Sequence, residues 1–313
     1  MDMKKIERAQ GCLLGQLAGD ALGSLVEFQS PEQIRRVYPD GVRDMADGGA
    51  HDTIAGQPTD DSEMALALAR ALVFRGSYDA GAAKRAYLDW LRSEPFSCGA
   101  TITAGLTSEP NLDSQANGAL MRISPLGIFG SRFELSQVAR WAVQDAELTH
   151  PHPICLQVNA LFTLAVAQAV ATGAEPKELV VDMLEWAQDM DADPLLFRVI
   201  KACINEPPRD YLQHQGWVLI AFGNAVWQLL NAPTLEDGIM DTIMRGGDTD
   251  TNAAICGALL GAVHGLGAVP ERWVKTVLAC RPQTGLSGVR RPRPEIYWPV
   301  DALKLAERLL STP

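Results

Sequence analysis

The sequence predicts an all-α protein. Apolar residues recur with the 3.6-residue period of helices, alternating β-branched runs are nearly absent, and proline or glycine punctuates nearly every gap between periodic segments. In order along the chain, the amino terminus comes first. Lys4, Lys5 and Arg8 ahead of Gly11–Gly19 imitate a signal peptide, but the apolar run contains Gln16 and stops at Asp20, so it reads as an ordinary first helix. Ser30-Pro31-Glu32-Gln33 starts a short helix with a capping box and proline at its first position. Asp61 to about Arg75 is a clear helix ended by Gly76. Further helices are expected at about Asp79–Ser93, Leu135–Leu148, Pro153–Thr172, Pro176–Met190, Gly216–Leu230, Thr251–His264, Pro270–Ala279 and Pro299–Leu310. Pro153–Thr172, Gly216–Leu230 and Thr251–His264 are apolar almost all round, the mark of helices inside a globule. Asp44–Pro58 and Arg281–Pro299 read as long irregular loops, a class often tied to function.

Composition narrows the class of protein. With 27 Lys+Arg against 38 Asp+Glu, a net charge of −11 and no basic cluster on a helix face, the chain does not read as a nucleic-acid binder. At 47% apolar and 21% charged residues it has ample core material, so disorder is excluded. No linker-like stretch divides the 313 residues, and one domain over residues 1–313 is expected, with no fixed-period repeat. No uninterrupted apolar run reaches a membrane span, the longest being Ala253–Val263, and a cytoplasmic location is expected. The six cysteines show no CxxC spacing and read as reduced core residues. No coiled-coil heptad is visible, so a monomer is the default.

Two acidic clusters carry the chemistry, each where a loop enters an apolar helix. The first is Thr59-Asp60-Asp61-Ser62 and the second Gly246-Gly247-Asp248-Thr249-Asp250-Thr251. Aspartate or threonine at such a place is an ordinary helix cap. Capping, however, needs one residue per helix, and several carboxylates near buried helices are costly without a cation. Carboxylates and hydroxyls are hard oxygen ligands, suited to magnesium, manganese or calcium rather than zinc. An EF-hand is excluded, because Ala253 and Leu259 stand where its glycine and twelfth-position glutamate are required. Weaker signals are Glu27 in Gly19-Asp20-Ala21-Leu22-Gly23-Ser24-Leu25-Val26-Glu27, the turn Asn117-Gly118-Ala119-Leu120-Met121-Arg122, and His150 between Thr149 and Pro151.

Together, in this order from about Gly11 to His264, these motifs resemble the ADP-ribosylglycohydrolases. The resemblance implies an all-α orthogonal helical bundle with two divalent metals, Mg²⁺ or Mn²⁺, in a central cleft. It assigns Thr59, Asp60, Asp61 and Asp250 to one ion, and Asp60, Asp248, Asp250 and Thr251 to the other. It makes Glu27 a mobile acid near the metals, so that Glu27, Asp60 and Asp248 are the candidate catalytic residues. It gives Asn117, Gly118, Ala119, Met121 and His150 to the groove for the diphosphate of ADP-ribose. The implied reaction is hydrolysis of the bond between the distal ribose and a protein side chain, arginine first, with an ADP-ribosylated protein as substrate and ADP-ribose as product. The alternatives are a serine, nucleobase or small-molecule linkage, or binding of ADP-ribose or a toxin without turnover. One departure bears on linkage: after Glu94-Pro95-Phe96, arginine-directed relatives carry Asp and, three residues on, Asn, where this chain has Ser97 and Ala100. Arg281, Arg290, Arg291 and Arg293 form a basic island, expected to pin its loop to acidic groups of the same chain.

Overall fold

The computed structural model describes residues 2–312, and among them there is no strand, only two isolated backbone bridges. The helices are α1 (Met3–Gly23), α2 (Pro31–Val37), α3 (Asp60–Arg75), α4 (Ala80–Arg92), α5 (Ala100–Thr107), α6 (Ser124–Gly130), α7 (Leu135–Glu147) and α8 (Pro153–Thr172). After them come α9 (Pro176–Asp189), α10 (Pro194–Ala202), α11 (Val218–Asn231), α12 (Leu235–Met244), α13 (Thr249–His264), α14 (Glu271–Ala279) and α15 (Ala302–Ser311). The expected capping box of α2 forms, with Ser30 Oγ accepting from Gln33 N and Ser30 N donating to Gln33 Oε1 at 2.7 Å. Gly76 ends α3 in the left-handed conformation.

The centre of the bundle is the antiparallel pair α1 and α13. Gly11, Gly15, Gly19 and Gly23 fall every fourth residue on α1 and meet Gly261, Gly257, Ala253 and Thr249 on α13. A Cβ on Gly15 would lie 2.1 Å from the carbonyl oxygen of Gly257, and one on Gly19 2.1 Å from that of Ala253. The i±4 rows of the two helices therefore pack backbone against backbone, which the four glycines of α1 permit. α8 and α11 pack around the pair, buried on most of their surface. By length and composition α8 alone among the described residues could cross a membrane, although Gln157, Asn159, Thr163 and Gln168 interrupt its apolar run; it is instead a core helix, with 14 of its 20 residues buried.

Four helices went unpredicted. α5, α6, α10 and α12 are 8, 7, 9 and 10 residues long, too short for a period to declare itself, and α6 and α12 carry internal glycines. Tertiary contact makes them helical: the Gly238 position of α12 faces Leu260 of α13 so closely that a Cβ would come within 2.6 Å of its side chain. All six cysteines are free, five of them buried. The loop Arg281–Pro299 is irregular except for a short 3₁₀ turn at Glu295–Tyr297. It is tied down through its arginines, Arg293 to buried Glu63 of α3 by two hydrogen bonds of 2.8 Å and Arg290 to Asp52 at 2.7 Å.

Candidate active site

The glycine contact delivers the acidic residues to one place. Gly23 lies against the backbone of Thr249 and Asp250, so the end of α1, which carries Asp20, meets the start of α13, which carries Asp250. The first turn of α3 arrives beside them. Thr59, its N-cap, makes no side-chain cap bond of its own; Asp20 takes that role from α1, accepting from Thr59 N at 3.1 Å, Thr59 Oγ1 at 2.9 Å and Ser62 N at 3.1 Å. Carboxylate oxygens of Asp20, Asp61 and Asp250 come within 4.8 Å of one another, and a second group of the same span joins Glu27, His51 and Asp250.

Burial makes this cluster uncomfortable as bare anions. Asp61 and Asp250 are held well above the usual carboxylate range, first by burial and then by acidic neighbours, Asp20, Asp60 and Asp248 around Asp61 and Asp61, Glu27, Asp248 and Asp20 around Asp250. Asp20 and Asp248 are pushed up to about 6 by burial, against hydrogen bonds from Ser62 and Thr59 and from Asn117 and Thr251 respectively. Burial also raises Asp60, with Ser97 beside it opposing the rise. Asp61 Oδ1 is buried with no hydrogen-bond partner. An orphaned oxygen among converging carboxylates, with no lysine or arginine beside them, is a donor set that fits divalent cations.

A cavity of about 270 Å³ opens on these residues. Glu27, Asp60, Asp61, Asp248, Asp250 and Thr251 form its acidic half; Asn117, Gly118, Met121 and His150 form the other. The halves are joined by Asn117, whose Nδ2 donates to Asp248 Oδ2 at 2.7 Å. Ser97 and Ala100, the departures from the arginine-directed pattern, line the same cavity. Of the expected site residues, Thr59 and Ala119 lie behind the lining, both fully buried. Thr59 spends its hydroxyl between Asp20 and Asp61 Oδ2, at 2.9 and 2.8 Å. Ala119, in the 3₁₀ turn Asn117–Arg122, is fully buried and is not among the residues that line the cavity.

That turn stands on a buried polar foundation. Gln16 of α1 donates to the Met121 carbonyl at 2.8 Å, and its Oε1 accepts from Ser124 Oγ. Arg122, fully buried, pairs with Asp145 at 3.2 Å and donates to Thr149 Oγ1 at 2.9 Å, with Tyr87 completing the group at 2.9 Å from Asp145. Thr149 Oγ1 is 2.8 Å from His150 Nδ1. The buried hydroxyl accepts from Arg122, and Nδ1 is the acceptor in reach of its own proton among the described residues, which leaves the hydrogen of the neutral ring on Nε2. His150 Nε2 has no partner in the protein and lies beside Gly118, where a Cβ would come within 3.2 Å of it.

Burial, with Arg122 behind it, pushes His150 down to about 3. An unfolded histidine titrates near 6.5, so the unfolded state binds more protons between pH 6.5 and 3, and the stability contributed is complete above 6.5 and lost as pH falls. From pH 7 to pH 5 this one group is expected to remove about 2 kcal/mol. Urea titrations of His150→Gln and wild type at the two pH values check it: the variant should lose that much less. Equal losses would place the ring in contact with water.

Asp20, His51 and Arg122 join the site beyond the expected residues. Asp20 had a signal, a lone carboxylate in the apolar stretch Leu13–Leu22 that needed a partner. His51 had none, since only the tertiary path of a loop brings it to Glu27.

An all-α bundle here brings oxygen donors from two helix mouths into one cavity with a glycine-containing turn and a free imidazole Nε2, an arrangement able to hold divalent cations. A family model described as ADP-ribosylglycohydrolase matches residues 1–309, and the chain belongs to that family of enzymes. It is 30% identical to the ADP-ribosyl-[dinitrogen reductase] glycohydrolase of Rhodospirillum rubrum, over 86% of this chain and 89% of that one. It is 29% identical to an ADP-ribosylarginine hydrolase of Pseudomonas putida, over 87% and 74%. Among solved structures, an "ADP-ribosylglycohydrolase-related protein complex" matches with a TM-score of 0.79 at 27% identity, covering 98% of each chain. The family is metal-dependent, in keeping with the acidic cluster.

Proposed function

We propose that the protein removes ADP-ribose from modified arginine side chains of proteins, reversing mono-ADP-ribosylation. One observation carries the reading: the Asn117–Asp248 hydrogen bond makes a single cavity of the acidic cluster and the His150 turn, so a ligand can present a sugar to one half and a diphosphate to the other. The similarity to the Pseudomonas putida ADP-ribosylarginine hydrolase supports arginine as the linkage. Asp20, Asp60, Asp61, Asp248 and Asp250 with Thr251 would hold two Mg²⁺ or Mn²⁺ ions, with Thr59 orienting Asp20 and Asp61 through its hydroxyl. Such ions supply positive charge that orients the ribose hydroxyls and lowers the pKa of water.

The chain's own groups do the rest. Asn117, Gly118 and the Nε2–H of His150 bind the diphosphate without a cationic side chain, which spends binding energy away from the reacting carbon. Glu27 accepts the proton of the attacking water as the new C1″–O bond forms, and the C1″–N bond breaks with its electron pair leaving on the guanidine, which takes up a proton. Ser97 beside Asp60 supports a second reading, another ADP-ribose linkage on the same site.

The test is release of free ADP-ribose from an ADP-ribosyl-arginine protein with Mg²⁺, with Mn²⁺ and with EDTA. Release should require a metal, and Asp60→Ala/Asp248→Ala should lower it about 10³-fold. Serine- and nucleobase-linked substrates run in parallel decide the linkage. Release unaffected by EDTA and by the double variant would refute the mechanism.

A further inference from the structure

The loop Asp44–Pro58 and the arginine-rich loop Arg281–Pro299 have no part in the reaction as derived so far, yet they meet at Glu27. Gly48 and Thr53 exchange two backbone hydrogen bonds, of 2.7 and 2.9 Å, and Ala50 N donates to Ser24 O at 3.0 Å, which hangs this turn on the end of α1. The turn carries His51, whose Nε2 lies 2.6 Å from Glu27 Oε2 with both side chains largely covered. Phe96 packs on the imidazole with ring centroids 5.5 Å apart.

The second loop fixes the histidine from behind. Arg291 Nε donates to the His51 carbonyl at 2.9 Å, Arg290 pairs with Asp52 at 2.7 Å, and Gln57 Nε2 donates back to the Arg291 carbonyl at 2.6 Å. Asp52 is held in the left-handed region at φ 58°, a conformation that the surrounding contacts must maintain.

Glu27 needs such a partner. It sits on the irregular segment after α1, its side chain has three rotatable bonds, and it faces Asp60, Asp248 and Asp250, all of which repel it. We propose that His51 is a positioning residue for Glu27, holding Oε2 by its Nε2–H so that the other oxygen is presented to the cavity, and that Arg290 and Arg291 hold His51 in place. This rests on the hydrolase reading above.

Kinetics of the metal-loaded enzyme on ADP-ribosyl-arginine protein test it, with metal binding followed separately by thermal shift without substrate. His51→Ala is expected to lower kcat about 10- to 100-fold, leaving KM and the metal midpoint within about twofold. His51→Gln, which keeps an N–H donor, should restore most of the loss, and His51→Ala should add nothing to Glu27→Gln. Losses that add in full, an unchanged kcat, or a weakened metal midpoint in His51→Ala would overturn the proposal, the last by making His51 a ligand. Should the wild type release no ADP-ribose from the arginine, serine or nucleobase linkage, the hydrolase reading fails and the imidazole N–H proton resonance decides the pairing alone. A low-field signal absent in His51→Gln and shifted upfield in Glu27→Gln supports the contact; indifference to Glu27→Gln overturns it.

Discussion

Gly15→Ala is expected to lower the melting temperature by about 5 °C or more, and Gly15→Val to leave little folded protein. The added Cβ would stand 2.1 Å from the carbonyl oxygen of Gly257 and 2.8 Å from its carbon, and both are backbone atoms that cannot rotate away. Accommodation requires α1 and α13 to separate, which loses contact along the whole pair and exceeds the ~3 kcal/mol upper end of ordinary overpacking. For a chain of this size each kcal/mol lowers the melting temperature by about 2 °C. Gly267→Ala is the control, since nothing lies within 4 Å of a Cβ there. The separation also has a functional consequence, because the same contact holds Asp250 beside Asp20. Gly19→Ala, nearer the site, should therefore lose metal-induced stabilisation as well as stability. Unchanged thermal melts for Gly15→Ala and Gly19→Ala would show that the two helices do not pack as described.

Asp250→Asn is expected to have opposite effects with and without metal. Asp250 belongs to both groups of converging ligands and is surrounded by Asp61, Glu27, Asp248 and Asp20. In chelator, removing its charge relieves repulsion within a buried cluster, so the variant should melt above the wild type. With Mg²⁺ or Mn²⁺ at about 1,000 times Kd the wild type should gain about 4 kcal/mol, seen as a rise of several degrees, and the variant should gain little. Two melting curves for each protein settle the matter. A wild type indifferent to both ions would sink the metal centre, and a variant less stable than wild type in chelator would mean that the carboxylate is structural.

The arginine island shows how far local reading reaches. A pairing role within the chain was legible, because guanidinium groups in an acidic protein find carboxylates, and Arg293 does find Glu63 of α3. That Arg291 grips the backbone of His51 was not, since the two are separated by 240 positions and no composition rule connects them. The same contrast holds at the site. Asp60, Asp61, Asp248 and Asp250 declared themselves as acids at the mouths of apolar helices, and all four line one cavity. Thr59, beside Asp60, and Ala119, in the Asn117 turn, lie buried behind the lining, because neighbours along the chain face different directions.

The sequence by itself determined the helical class, most of the long helices and the residues capable of binding cations, because period, caps and side-chain chemistry are local properties. The four-residue glycine spacing of α1 was also present in it, although its meaning required a partner helix. Tertiary structure alone decided which carboxylates converge, that Asp20 caps α3 from another helix, that Arg122 and Thr149 set the tautomer of His150, and that His51 holds Glu27. Those are contacts between residues far apart in the chain, fixed by how closely α1 and α13 approach, and that distance is set by the absence of side chains between them.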